Sequence, residues 1–242
     1  MSMRRGIFVT GTDTGVGKTV VSTALVRALV TQGLRVAVMK PVAAGAEETP
    51  EGLRNADALA LEQTANIRAP YSTINPYCFS QPVSPHLGAR DFGVTIDTRL
   101  IEARFDELSR SADFVVVEGA GGWLAPISAT QTMEDIATSL GLPVLLVVGL
   151  RLGCLNHAML TTRAIKSSGL YLAAWVGNHV EFHFERGTEN IATLEARLGS
   201  APLDILKFEP LKAEMLCLQP GAAAKVLADL NPRIRLDAHP DS

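Results

Sequence analysis

The run Gly11-Thr12-Asp13-Thr14-Gly15-Val16-Gly17-Lys18-Thr19 follows the apolar stretch Ile7-Phe8-Val9 and opens a helical pattern at Val20, Val21, Ala24, Leu25, Ala28 and Leu29. Strand, glycine-rich turn and helix in that order are the setting a phosphate-binding loop needs, and they commit the chain to an α/β fold. Glycines let backbone N–H groups close around phosphate oxygens, and the helix N-terminus adds a favourable dipole. Lys18 then reaches the terminal phosphates, and the Thr19 hydroxyl is offered to a magnesium ion. The bland alternative, a glycine turn capping an ordinary helix, does not account for Gly-Lys-Thr at its end. Five residues separate Gly11 from Gly17, where the usual loop has four.

The rest of the chain extends this reading. Apolar runs at 6–10, 35–39, 114–117, 143–148 and 172–176 lack polar alternation, which suits strands of a parallel sheet covered on both faces. Helical patterns fall between them, around 17–32, 55–65, 96–110, 132–140 and 155–168. The expected fold is a doubly wound, mostly parallel sheet in one P-loop domain spanning 1–242, with ligands outside the carboxyl ends of the strands. Residues 66–95 carry Pro70, Pro76, Pro82 and Pro85 with little periodicity. The aromatic residues there predict an ordered excursion over one face. Residues 231–242 read as a frayed tail.

Composition excludes several function classes. Hydrophobic residues at 47% and charged residues at 19% describe a globular chain with a sizeable core. A net charge of −3 gives no electrostatic case for nucleic acid or an anionic membrane. The strongest apolar run, 142–150, is too short to span a bilayer, and no signal-peptide core precedes the first strand. Cys78, Cys154 and Cys217 are widely spaced and form no Cys-x-x-Cys pair, so a reducing cytoplasm is the simplest compartment. His179 and His183 are four apart, but the glutamate between them is Glu181, which is not the zinc-protease pattern. No Gly-x-Ser-x-Gly elbow occurs either.

Polar residues at the predicted strand ends supply the remaining candidates. Glu118 ends Phe114-Val115-Val116-Val117-Glu118, where the acidic residue of a nucleotidase commonly meets magnesium. Asp57 lies near a helix start; it either completes the metal site or is a first-turn carboxylate favoured by the dipole. Lys40 follows a strand, as a solvated terminus or as a second cation that neutralises phosphate and any developing anionic intermediate. Residues 119–122, including Gly121, lie where backbone must approach a ligand closely. Gly153, Cys154, Leu155 and Asn156 open a helix, either as an anion site or with Asn156 as a plain N-cap.

Taken together the chain resembles the dethiobiotin synthetases. The resemblance rests on the loop with its extra residue, Lys40-Pro41-Val42-Ala43-Ala44-Gly45, the 49–61 and 75–86 stretches, Val115 to Trp123, Leu142 to Gly149 and Leu152 to Leu160, in family order over roughly 5–180. It implies a homodimer that uses ATP and Mg2+ to join CO2 to 7,8-diaminopelargonate through a carbamate and a carbamic-phosphoric anhydride. By this resemblance Thr12, Asp13, Thr14, Gly15, Val16, Gly17, Lys18 and Thr19 bind the nucleotide. Thr14 then lies near the transferring phosphate, and Thr19, Asp57 and Glu118 hold magnesium. Lys40, Ala44, Glu118 and Gly121 line the substrate, residues 153–156 capture its distal carboxylate across the dimer interface, and Asn178 reads the base. The chain departs from the family at three places. Ala44 stands where serine is frequent, Gly15 where some members carry glutamate, and residues 204–210 lack the expected Gly-Glu-x-Pro.

Other classes share this fold. A partitioning or switch ATPase normally carries a lysine early in the loop, where this chain has Asp13, and no lysine occurs between residues 6 and 17. A cobyrinate-type amidoligase would need a glutaminase domain. A nucleotide-binding relative without cyclase activity is the third alternative.

Overall fold

A computed structural model describes residues 5–208, 218 and 221–230. In chain order the elements are β1 (Gly6–Gly11), α1 (Lys18–Thr31), β2 (Val36–Met39), β3 (Val42–Ala44), β4 (Glu47–Thr49), β5 (Gly52–Arg54) and α2 (Ala56–Thr64). Then come α3 (Tyr71–Ile74), β6 (Tyr77–Phe79), α4 (Pro85–Asp91), α5 (Thr98–Ser111), β7 (Phe114–Glu118), α6 (Met133–Leu140) and β8 (Val144–Leu150). The last five are α7 (Cys154–Ser167), β9 (Leu172–His179), α8 (Gly187–Leu198), β10 (Asp204–Leu206) and α9 (Ala222–Leu230).

Six strands form the central sheet in the order β10-β9-β8-β1-β7-β2, and every neighbouring pair is parallel. The continuous apolar runs follow from this, because alternate residues feed opposite faces. Ile7 and Val9 of β1, with Val36 and Val38 of β2, join the core under α1, α2 and α9. Phe8, Ala37 and Met39 point the other way, into the core under α5 and α6. Leu146, Val148 and Trp175 fill a third cluster beneath α7 and α8.

Register turns this layering into a site. Met39 of β2 sits beside Val117 of β7, so the next residues, Lys40 and Glu118, emerge side by side at the carboxyl edge. Val9 of β1 pairs with Glu118, which places the glycine loop immediately beyond it. This is where ligands bind in doubly wound sheets.

The 66–95 stretch is more built than its weak periodicity predicts. It holds α3, β6 and α4, and β6 pairs in parallel with β3 as a small second sheet. β4 and β5 form an antiparallel hairpin. The predicted tail at 231–242 lies outside the described residues, as do Glu209 and Pro210 of the atypical 204–210 stretch. No helix among the described residues is long and apolar enough to cross a membrane.

Candidate active site

The glycine loop is laced to the sheet from several sides. The Thr12 N–H donates to the Val147 carbonyl at 2.9 Å, and the Gly149 N–H reaches the Thr12 hydroxyl at 3.4 Å. The buried Val16 side chain packs so close to Gly149 that a methyl there would collide with it. Gly17 has φ 89°, and the space a Cβ would need is taken by the Asn178 side chain, so only glycine serves at this position. The Asn178 amide in turn donates to the Val16 carbonyl at 2.9 Å. The extended loop thus keeps its shape through contacts with the ends of β8 and β9.

Gly17 is the N-cap of α1, with no side-chain cap and no acidic residue in the first turn. The helix therefore presents its N-terminal amides and positive dipole end without an internal counter-charge. Beside it opens a cavity of about 750 Å³. Its lining includes Thr14, Gly15, Gly17, Lys18 and Thr19 of the loop and α1, together with Lys40, Ala44, Asn55, Asp57, Gly121 and Gly122.

Three ionisable groups line it, Lys18, Lys40 and Asp57, and a fourth, Glu118, is buried against Lys40. Lys18 is 7% exposed, and its ammonium donates to the Asp13 carbonyl at 3.0 Å. Burial, and then the charge of Lys40, push its pKa down to about 8. The Lys40 ammonium donates to Glu118 Oε1 at 2.5 Å, to Asp57 Oδ2 at 3.0 Å and to the Gly119 carbonyl at 3.4 Å. Burial works to lower its pKa, but the charges of Glu118 and Asp57 outweigh this and hold it above the ordinary lysine value. Asp57 is opposed by its own desolvation, yet Lys40 holds its carboxyl below the usual range.

Glu118 is fully buried. Its Oε1 also accepts from the Thr19 hydroxyl at 3.0 Å, whereas Oε2 has no hydrogen-bond partner in the structure. A buried carboxylate oxygen left bare is costly and marks a place for an outside ligand. Thr19, Glu118 and Asp57 together offer hard oxygen donors of the kind magnesium takes. No group of three or more His, Cys, Asp or Glu positioned for a metal occurs among the described residues.

Thr12, Asp13 and Val16 of the loop and the buried Glu118 are not part of the cavity lining, and two candidate sets lie farther from it. Asn178 lies behind the loop. Residues 153–156 begin α7, whose N-cap is Gly153 at φ 95°, with no side-chain cap. The N-cap alternative for Asn156 is therefore not what forms: Asn156 sits inside the first turn. Cys154 is buried against the third core cluster, and burial pushes its thiol pKa up. This segment does not line the cavity of its own chain.

Several site residues escape sequence reasoning. Asn55 caps α2 by accepting from the Asp57 and Ala58 N–H groups at 3.1 and 3.3 Å, and an Asn just before a helical pattern is a readable signal. Asn75 donates to the Lys40 carbonyl at 2.7 Å. Arg151 pairs with Asp13 at 2.8 Å, and the other Asp13 oxygen accepts from the Thr14 N–H at 2.7 Å. The Asn75–Lys40 and Arg151–Asp13 contacts join segments far apart in the chain, and no local pattern announces them.

Loop, sheet order and cavity define a P-loop nucleotide-binding α/β protein. The solved structures agree at the level of fold. The septum site-determining protein MinD with Mg-ADP from Pyrococcus horikoshii superposes with a TM-score of 0.56 at 15% identity, over 91% of this chain and 86% of that one. The MinC:MinD complex of Aquifex aeolicus gives 0.55 at 17% identity, over 91% and 86%. A family model described as an AAA domain matches residues 5–230. Closer relatives narrow the class. ATP-dependent dethiobiotin synthetase BioD 1 of Escherichia coli O157:H7 is 50% identical over 201 residues, covering 83% of this chain and 89% of that protein. BioD of Xanthomonas oryzae pv. oryzae (strain PXO99A) is 51% identical over 192 residues, covering 79% and 86%. The chain belongs to the dethiobiotin synthetase family.

Proposed function

We propose that this chain is a cyclo-ligase that forms dethiobiotin from 7,8-diaminopelargonate, CO2 and ATP, releasing ADP and phosphate. Family membership carries the overall activity. The residue roles rest on one observation: Lys18, Lys40 and Asp57 line one cavity at the mouth of a phosphate-binding loop, with Glu118 buried against Lys40.

The chemistry requires charge control at each step. One amine adds to CO2, loses a proton and becomes a carbamate. A carbamate oxygen then takes the γ-phosphoryl group of ATP and ADP leaves. The second amine attacks the carbamoyl carbon, closes the ureido ring and expels phosphate. Lys18 is suited to the transferring phosphoryl group, because its ammonium faces the cavity with only a backbone oxygen as partner. Lys40 is suited to the carbamate and its phosphorylated form, since an ammonium fixed by two carboxylates stays charged. Thr14 and Gly121, neighbours in the cavity lining, lie beside the phosphoryl path, and Ala44 lines the space given to the diamine. Magnesium would be held by Thr19, Asp57 and Glu118, with its other positions left to phosphate oxygens and water. When bound, it neutralises phosphate charge.

Asn178 donates its amide N–H to Val16, which leaves its oxygen to face a base. That orientation favours an exocyclic amino group, as on adenine or cytosine, over a carbonyl. The start of α7 is suited to the distal carboxylate of a diamine held by a second copy in a homodimer. It has no acidic residue in its first turn, and Leu152 and Leu160 beside it are 92% and 55% exposed, apolar area that a second copy would cover.

The test is a product assay with the diamine, bicarbonate, magnesium and ATP. Dethiobiotin, ADP and phosphate are expected in equal amounts. ATP hydrolysis that ignores the diamine and responds to DNA or membrane would instead identify a switch ATPase.

A further inference from the structure

Behind the cavity wall, buried polar groups tie the elements carrying Asp57 and Lys40 to a single phenol. Tyr71, the first residue of α3, places its hydroxyl between two asparagines. It accepts from the Asn55 backbone N–H at 2.8 Å and donates to Asn75 Oδ1 at 3.1 Å. Asn55 is only 6% exposed and Asn75 only 3%, so neither has water as a ready substitute partner.

Each asparagine leads to one member of the reactive pair. Asn55 caps α2 through the Asp57 and Ala58 N–H groups, and its own amide donates to the Ala44 carbonyl at 3.2 Å. Asn75 donates to the Lys40 carbonyl at 2.7 Å and to the Tyr77 carbonyl at 3.1 Å. The Lys40 N–H donates to the Ile74 carbonyl at 2.8 Å, so the backbone of Lys40 is gripped from both sides by the α3 turn. The ring of Tyr71 is held independently of its hydroxyl, with the Arg54 guanidinium 4.2 Å from the ring centroid.

We propose that the Tyr71 hydroxyl is a positioning group that keeps Asp57 and Lys40 in register with each other, acting through Asn55 on one side and Asn75 on the other. The proposal rests on the roles given above to Asp57 and Lys40. The Lys40–Asp57 contact of 3.0 Å does not set this spacing alone, because the Asp57 side chain is 46% exposed and only its carboxylate end is held, by Lys40 and Thr19. A fixed helix start and a fixed strand end hold the rest. Groups that orient metal ligands from behind commonly change metal affinity or activity 10–100-fold when removed.

The experiment compares wild type, Tyr71→Phe, Asp57→Asn and the double variant in the product assay, at a temperature well below all four melting points. Tyr71→Phe keeps the ring and its stacking but loses the hydroxyl. It is expected to lower kcat roughly tenfold and raise the magnesium concentration for half-maximal rate about fivefold or more. ATP affinity without magnesium should change less than about twofold, because the loop is untouched. Combined with Asp57→Asn, the Tyr71→Phe loss should shrink, since a positioning group has little left to position. Asn75→Ala is the second arm if Tyr71→Phe does not fold. It cuts the Lys40 branch, with the Tyr77 contact, and leaves the Tyr71–Asn55 bond in place, and should lower kcat with the magnesium requirement unchanged. A melting-point loss with kcat and magnesium dependence at wild-type values would overturn the proposal, as would full additivity with Asp57→Asn. Wild-type turnover in Asp57→Asn itself would instead overturn the site reading, and the positioning role with it.

Discussion

Lys18 and Lys40 reach the same cavity from the start of α1 and the end of β2, and the protein drives their ammonium groups in opposite directions. Both are buried, at 7% and 3% exposure, and burial works to lower the pKa of each. What differs is the company. Lys18 has a backbone carbonyl as its hydrogen-bond partner and falls to about 8. Lys40 has two carboxylates and a carbonyl and is raised. Burial sets the cost of a charge, and the partners decide whether it is met from inside or left for a ligand. Lys18 is left for the ligand. Lys40 belongs to the framework and acts from within it.

Removing each ammonium is the harshest way to break this comparison. Lys18→Ala and Lys40→Ala should each cut dethiobiotin formation by about 10²–10³-fold or more, the range seen when a positioned charge-stabilising donor is lost. The two should part company on stability. Lys40→Ala leaves the Glu118 carboxylate buried without its main counter-charge, at a cost of about 3–5 kcal/mol. Lys18→Ala removes a desolvated ammonium and should leave the melting temperature at or above that of wild type. Equal losses on thermal denaturation would erase the distinction.

A smaller effect appears with pH. The free protein loses the Lys18 proton as pH rises through about 8, and phosphate binding needs that proton. Hence kcat/KM for ATP should decline above pH 8, by up to about tenfold per unit. The kcat at saturating ATP should hold to higher pH, because bound phosphate raises the ammonium pKa. A profile of kcat/KM flat to pH 10 would contradict the lowered value.

The smallest effect belongs to Arg151. Its pair with Asp13 joins side chains 36% and 50% exposed, and such pairs contribute about 0–1 kcal/mol. Arg151→Met should shift stability by less than about 1 kcal/mol and raise the KM for ATP by less than about fivefold, the same energy expressed as affinity. A large loss of turnover would mean the loop depends on this outer clasp more than on Thr12, Val16 and Asn178.

How much of this was legible in the chain depended on the range of the interaction. The five long strands announced themselves because a parallel sheet covered on both faces admits unbroken apolar runs. β3, β4, β5 and β6 span only three residues each, too few for any period to register. The glycine loop could be read because strand, turn and helix are contiguous, and Lys40 and Glu118 because strand ends in this fold are chemically privileged. Tyr71, Asn75 and Arg151 could not. Their partners lie on other elements, and only the folded register brings them together. The start of α7 was legible as a helix N-terminus. Its place in the site depends on a second copy, which remains part of the proposal.

The most direct measurement is a titration of the two lysines by NMR, with ¹³C-labelled lysine side chains assigned through Lys18→Ala and Lys40→Ala. One resonance, absent in Lys18→Ala, should titrate near pH 8 in the free protein and move to higher pH when nucleotide is added. The Lys40 resonance should show no transition below the ordinary lysine range in either state. Finding that both lysines titrate together, or that Lys40 is the one with the depressed value, would contradict the division of labour on which the site rests.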